Sequence, residues 1–145
     1  MTAHTRTEFE FTLNIPYDRA APLFGALEEQ KWDPDWHPQF IHPTPATDQE
    51  GSVFLVNRPE NQAVWITTQL DLPAGRIQYV NFLNYAIVTK IDVRLTRDTD
   101  KTVVRVVYER TAIEPSANET VRQLAKLTEN YAPEWKFAIE KTARP

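Results

Sequence analysis

The chain has no cysteine. That excludes disulfides, a thiol nucleophile and any thiolate-held zinc or iron–sulfur centre. It also fits a reducing compartment. Glycine is scarce, three residues against eleven prolines, so the loops are expected to be stiff. No glycine-rich phosphate loop, G-x-S-x-G elbow or H-E-x-x-H pair occurs. With only three histidines, no Ser/His/Asp set can be assembled from spacing. No apolar run approaches the ~20 residues of a spanning helix. The start, "MTAHTRTEFEF", has no apolar core of signal-peptide length. A soluble, cytoplasmic protein is the expectation. Positive charge is not in excess: 16 Lys and Arg stand against 20 Asp and Glu, a formal net charge of −4. Without a basic stripe, nucleic acid is not an expected partner.

What is present suits one domain, residues 1–145. Residues 6–13, "RTEFEFTL", alternate, with Phe9, Phe11 and Leu13 on one face of a half-buried strand. "IPYDRAAPLFGALEEQKW" reads as helix with Asp18 as N-cap. Pro22 fits only a first turn, and Gly25 divides the stretch into two short helices. Residues 38–51 read as a proline-rich loop. Five further strands follow at 52–57, 63–72, 76–83, 86–96 and 102–112, separated by turn-rich breaks. Short turns between strands imply an antiparallel meander.

Ser116 with Glu119 fits a capping box opening a long C-terminal helix. Val121, Leu124, Thr128, Tyr131, Trp135 and Ala138 make one stripe along it. Pro133 kinks that helix, or ends one helix and starts another. The class is α+β: a curved antiparallel sheet of six strands, one or two short helices after the first strand, and a C-terminal helix covering the apolar face.

The densest stretch is "EQKWDPDWHPQF", residues 29–40. Proline disfavours helical geometry in the residue before it, so Asp33 and His37 are extended. Asp33, Asp35 and His37 then share a face. Two readings compete. They are metal ligands, with His4 or His42 as a fourth, or they are solvated acids and caps of backbone N–H groups. The spacing lacks the regularity of a metal motif, and no metal or other cofactor is expected. Trp32 and Trp36 either plug one end of the sheet–helix sandwich or line a cavity there; a plug over a cavity is also its wall.

Strand parity points Tyr108 inward with Val104 and Val106. It groups Tyr79 with Ile77, Asn81 and Leu83, an apolar wall with a polar contact. It puts Trp65 opposite the apolar face of Val64, Ile66, Leu70 and Leu72, unless a bulge shifts the register. Arg110 shares Tyr108's parity, where it would anchor a carboxylate, but lies near a strand end, where solvent exposure is expected. Lys90, Asp92 and Arg94 read as a solvated outer face.

This order of elements resembles the START/Bet v 1-like (SRPBCC) superfamily and its helix-grip fold over nearly the whole chain. A small bacterial branch carries a pattern like E-x-x-W-x-P-G-W-x-P followed by a further proline. Here it falls on Glu29, Trp32, Pro34, Trp36, Pro38 and Pro43, with Asp35 where glycine is common. Trp65, Tyr79 and Tyr108 also sit where such sequences carry aromatics. The resemblance implies an apolar cavity between the sheet and the C-terminal helix. The superfamily spans lipid and hormone carriers, polyketide cyclases, coenzyme Q-binding proteins and Hsp90 co-chaperone domains, so fold alone does not choose a function.

The leading expectation is a binding protein for a small apolar or aromatic molecule, as monomer or homodimer. Tyr79, Tyr108, Tyr131 and Trp135 would form the walls and Trp32 and Trp36 the closed end. A second is a cyclase or dehydratase with His37 or Glu29 as general base. A third is a protein-interaction domain, with a closed interior and an exposed apolar patch.

Overall fold

The computed structural model describes residues 1–143. Seven strands form one antiparallel sheet in the order β1-β7-β6-β5-β4-β3-β2. They are β1 (His4–Leu13), β2 (Gln39–His42), β3 (Val53–Arg58), β4 (Asn61–Asp71), β5 (Arg76–Leu83), β6 (Ile87–Asp98) and β7 (Lys101–Ala112). From β3 onward each strand pairs with the next through a short turn. β7 then pairs with β1 along its whole length.

The expected six strands are one too few. β2 is the addition, inside the proline-rich segment read as loop. It is a four-residue edge strand with a register shift between Phe40 and His42. Only Phe40 turns inward, stacking on Phe54 at 5.1 Å, so no alternation was there to read.

β1 and β2 are the two sheet edges, yet residues 14–38 join them directly. Seven strands at ~4.8 Å spacing make a wide sheet. That connection must therefore run from edge to edge, which lays its short helices over the concave side. They are α1 (Tyr17–Ala20) and 3₁₀ turns at Ala21–Phe24 and Glu28–Lys31. Pro22 fits because it opens the first 3₁₀ turn, and Gly25 separates the two. Asp18 is not the N-cap: Pro16 holds that position and Asp18 lies in the first turn. Gly25 is also needed for space, since a Cβ there would meet the Asp48 carboxylate at 2.4 Å. That carboxylate accepts from the Leu27 N–H at 3.2 Å and ties residues 43–51 to the turn.

The C-terminal cover is two helices, α2 (Asn118–Thr128) and α3 (Tyr131–Thr142). The break falls just before Pro133, which occupies the first turn of α3 and lacks the N–H a continuous helix would need. The capping box does not form: Ser116 is in a 3₁₀ turn, Ala117 is the N-cap, and no side chain caps the helix. Asn118 instead holds the N-terminal segment, accepting from Ala3 N–H at 2.7 Å and donating to Met1 O at 3.0 Å. α3 is fastened to β1 by Lys136, whose Nζ donates to Thr12 O, and by Glu140, which accepts from Asn14 N–H at 2.7 Å. Its end is tied to the second 3₁₀ turn by Thr142, whose hydroxyl donates to Lys31 O at 3.0 Å.

The main core lies between sheet and helices, with Leu13, Phe54, Ile77, Val104, Val106 and Ile139 fully enclosed. A smaller cluster of Ile87, Ala112, Ala117 and Val121 fills the end beneath α2.

β4 contains a bulge between Thr67 and Gln69. Before it, Ala63, Trp65 and Thr67 face inward; after it, Leu70 and Leu72 pack on the same core. The uninterrupted parity that turned Trp65 outward is therefore wrong. Val64 and Ile66 are the residues on the convex face, 39% and 41% exposed.

Candidate ligand cavity

The concave face of the sheet does not close completely on its helices. A cavity of about 510 Å³ remains, walled by β3–β7, the 29–36 segment and both C-terminal helices. All four tryptophans of the chain line it: Trp32, Trp36, Trp65 and Trp135. Tyr79, Tyr108 and Tyr131 line it too. Trp32, Trp36, Tyr79, Tyr108, Tyr131 and Trp135 thus line one space. Trp65 and Phe24 join them, the first hidden from sequence by the bulge.

The rings form two linked groups. Trp135 stacks on Tyr131 at 5.8 Å and meets Phe9 edge-on at 5.3 Å and Trp32 at 5.6 Å. Trp65 meets Trp36 edge-on at 5.1 Å and Tyr79 at 5.8 Å, and stacks on Phe54 at 5.7 Å. Offset and edge-to-face contacts of this kind lock ring orientation.

Three of these rings are also pinned by their polar tips. Trp32 Nε1 donates to Leu23 O and Trp36 Nε1 to Ala26 O, each at 2.7 Å. Tyr79 Oη donates to Phe24 O at 2.8 Å. A 3₁₀ stretch leaves carbonyls without helical partners. The three donors satisfy them, so "WDPDW" and the 21–28 segment hold each other. The rings then present carbon faces, not donors, to the cavity. Burial keeps the Tyr79 and Tyr108 phenols protonated, well above their ordinary range.

Two sets of polar groups on the cavity wall stand out. In the first, Glu29 comes from the second 3₁₀ turn and Asp33 and Asp35 from the residues that follow it. The Asp33 carboxylate accepts from the Asp35 N–H at 3.0 Å, a local cap. Glu29 is only partly exposed, and burial, then the charge of Asp33, pushes its carboxyl up to about 8. His37 is exposed and does not line the cavity, whereas Glu29 does. His4 bonds Thr111 Oγ1 at 2.8 Å on the far edge strand, away from the 33–37 loop. No cluster of three or more potential metal ligands exists among the described residues.

The second set is a row across the sheet. Arg110 on β7 pairs with Thr89 on β6, Thr89 with Asn81 on β5, and Asn81 with Trp65 on β4. All four side chains line the cavity. Arg110 is not exposed as its place near a strand end suggested; it is 4% exposed, because α2 covers that end of β7. Its guanidinium lies over the Tyr108 ring at 4.7 Å. Trp65 Nε1 and Arg110 Nη1 are enclosed and have no hydrogen-bond partner.

The chain is similar in fold to several solved structures. Ara h 8.0201 is 14% identical, with a TM-score of 0.71 over 97% of this chain and 98% of that one. Norcoclaurine synthase from Thalictrum flavum is 13% identical, with a TM-score of 0.69 over 97% and 86%. A hypothetical protein from Helicobacter pylori is 9% identical, with a TM-score of 0.74 over 97% and 88%. The fold is Bet v 1-like. A sheet gripping C-terminal helices over a residual space is the helix-grip arrangement. At these identities the likeness concerns fold alone. One of the norcoclaurine synthase structures holds dopamine and hydroxybenzaldehyde. No family model and no curated protein matches the sequence. No helix of the described residues is long and apolar enough to cross a membrane.

Proposed function

We propose that this chain binds a small apolar or aromatic molecule in the cavity between the sheet and the C-terminal helices. One observation carries the reading: all four tryptophans line one space of about 510 Å³. That volume lies within the range of roughly 300–1,000 Å³ typical of ligand pockets, which are mostly apolar with a few placed polar groups. The norcoclaurine synthase complex with two aromatic molecules supports it, since that protein shares the fold. The motif from Glu29 to Pro43 further suggests the small bacterial SRPBCC branch, in which Trp32 and Trp36 would serve as the closed end.

The test is direct because every tryptophan reports on the same space. A neutral dye, N-phenyl-1-naphthylamine, is titrated while intrinsic and transferred fluorescence are followed. A saturable signal displaced by naphthalene is expected. Ala138→Trp, which fills the cavity from α3, should abolish it. Absence of a saturable response would sink the reading.

A second reading, an enzyme of cyclase or dehydratase type, has one observation in its favour. Glu29 lines the cavity, and burial pushes its carboxyl up to about 8. A carboxyl raised toward neutral pH within reach of a bound molecule suits general acid–base chemistry. Turnover of a bound carbonyl substrate lost in Glu29→Gln, with binding retained, would establish it.

A further inference from the structure

We propose that the ligand is an acid, and that its carboxylate pairs with Arg110. This rests on the reading of the cavity as a ligand site and names the chemical class that site selects.

An arginine guanidinium carries five N–H donors and stays charged. Such a group inside a protein is ordinarily paired, because an unpaired buried charge is costly. Arg110 is 4% exposed and has no carboxylate partner; no ion pair among the described residues involves it. Its Nη1 is enclosed without a hydrogen bond. The titratable groups near enough to influence it are the Tyr108 and Tyr131 phenols, neither of them a carboxylate. The ring of Tyr108 contributes a cation–π contact at 4.7 Å, worth less than a counter-ion. The charge thus lacks a counter-ion, and its residue lines the cavity.

Its surroundings fit a planar two-oxygen anion. Thr89, directly opposite Arg110 on β6, and Asn81, next in the row, bring a hydroxyl and an amide to the same strip of wall. Tyr131 and Leu124 cover the strip from the helices. An aromatic body would rest on the rings while its carboxylate reaches the fork of Arg110. One buried cation matches one negative charge. The other cation of the wall, Arg58, is exposed. A phosphate dianion would bring a second charge into this apolar space without a buried partner.

The acids of the wall do not contradict this. Asp33 and Asp35 lie on the 29–36 segment and Glu134 opens α3, and none of them bears on Arg110.

The experiment compares two probes of nearly one shape, 2-naphthoate and 2-naphthamide, by titration calorimetry on the full chain and on Arg110→Met and Arg110→Lys. In the wild type the acid should bind at least about tenfold more tightly than the amide. Arg110→Met should reduce acid binding to the level of the amide and leave the amide within about threefold, while Arg110→Lys keeps part of the preference as a point charge without the fork. Near-ultraviolet circular dichroism checks that both variants are folded. The wild-type comparison needs no variant at all. If the amide binds as well as the acid, the carboxylate inference falls while the cavity reading stands. If Arg110→Met keeps the acid's preference, Arg110 is not its partner. If neither probe binds, both readings fall together.

Discussion

The two tryptophans of "WDPDW" and Trp65 touch the same cavity, yet their indole nitrogens are treated differently. Trp32 and Trp36 each donate to a backbone carbonyl of the short helical segment. Trp65 donates to nothing, and neither does Arg110 Nη1 in the same cross-strand row. The first pair belongs to the architecture of the wall: its polar atoms are spent on holding a loop. The second pair keeps enclosed donors without a protein partner on residues that line the cavity. A protein minimises buried donors without partners, so these two residues bear on the ligand proposed above. The difference separates residues that shape the cavity from residues that would read a ligand.

The largest way to break the comparison is to remove the shaping side. Trp32→Ala deletes a 7% exposed indole packed on Phe24 and Trp135 and leaves Leu23 O without its donor. A loss of about 3–5 kcal/mol is expected for such a truncation, read by urea unfolding. Near-ultraviolet dichroism should change as well, because Trp135 loses a ring neighbour. A loss below about 1 kcal/mol would show that the 29–36 segment is not fastened by this ring.

How far this division was legible from sequence follows from physics. The wall aromatics on β5, β7 and the C-terminal helices were placed by parity and by the 3–4 spacing of a helix face, which hold as long as an element is regular. The direction of Trp65 stays open in the sequence because one extra residue near Thr68 reverses parity, and nothing in "TTQL" announces it. Arg110 was misjudged because the solvation of a strand end depends on what covers it, here α2, a contact between distant parts of the chain. β2 offered four residues with a single inward ring, below any periodicity. Asp18 and Ser116 have the chemistry of caps, but neither helix start uses it. His37 and Glu29 were equal candidates. A turn of backbone sends one to solvent and the other to the cavity, and proline stiffness does not say which.

A second prediction sharpens the comparison at Glu29. Glu29 has its folded value raised to about 8 from an ordinary 4.5. Between those values the folded protein holds a proton that the unfolded chain has released. Stability therefore falls as pH rises from about 5 to 8, and the loss is complete above the folded value. At 1.36 kcal/mol per pH unit the full shift sets the ceiling, and the partial exposure of Glu29 brings the expected loss to about 2–4 kcal/mol. Glu29→Gln should flatten this part of the profile and be the more stable protein at pH 8. Thermal melts of both proteins from pH 5 to 9 decide it; parallel profiles would place the proton elsewhere.

The smallest test compares two like changes, each removing an indole N–H and its five-membered ring on the same wall. Trp36→Phe removes the donor to Ala26 O, leaving a buried carbonyl unpaired, at a cost of about 1–3 kcal/mol beyond the lost ring area. Trp65→Phe removes a donor that was never paired. Its lost area is offset by relief of the unsatisfied N–H, so a net change within about 1 kcal/mol is expected. Ligand binding should respond in the opposite order. Trp36→Phe keeps the affinity of any molecule that uses only the ring face. Trp65→Phe weakens a ligand that accepts from the indole. Equal stability losses in the two variants, with binding untouched in both, would mean that the free donor of Trp65 is an accident of packing and not part of what the cavity reads.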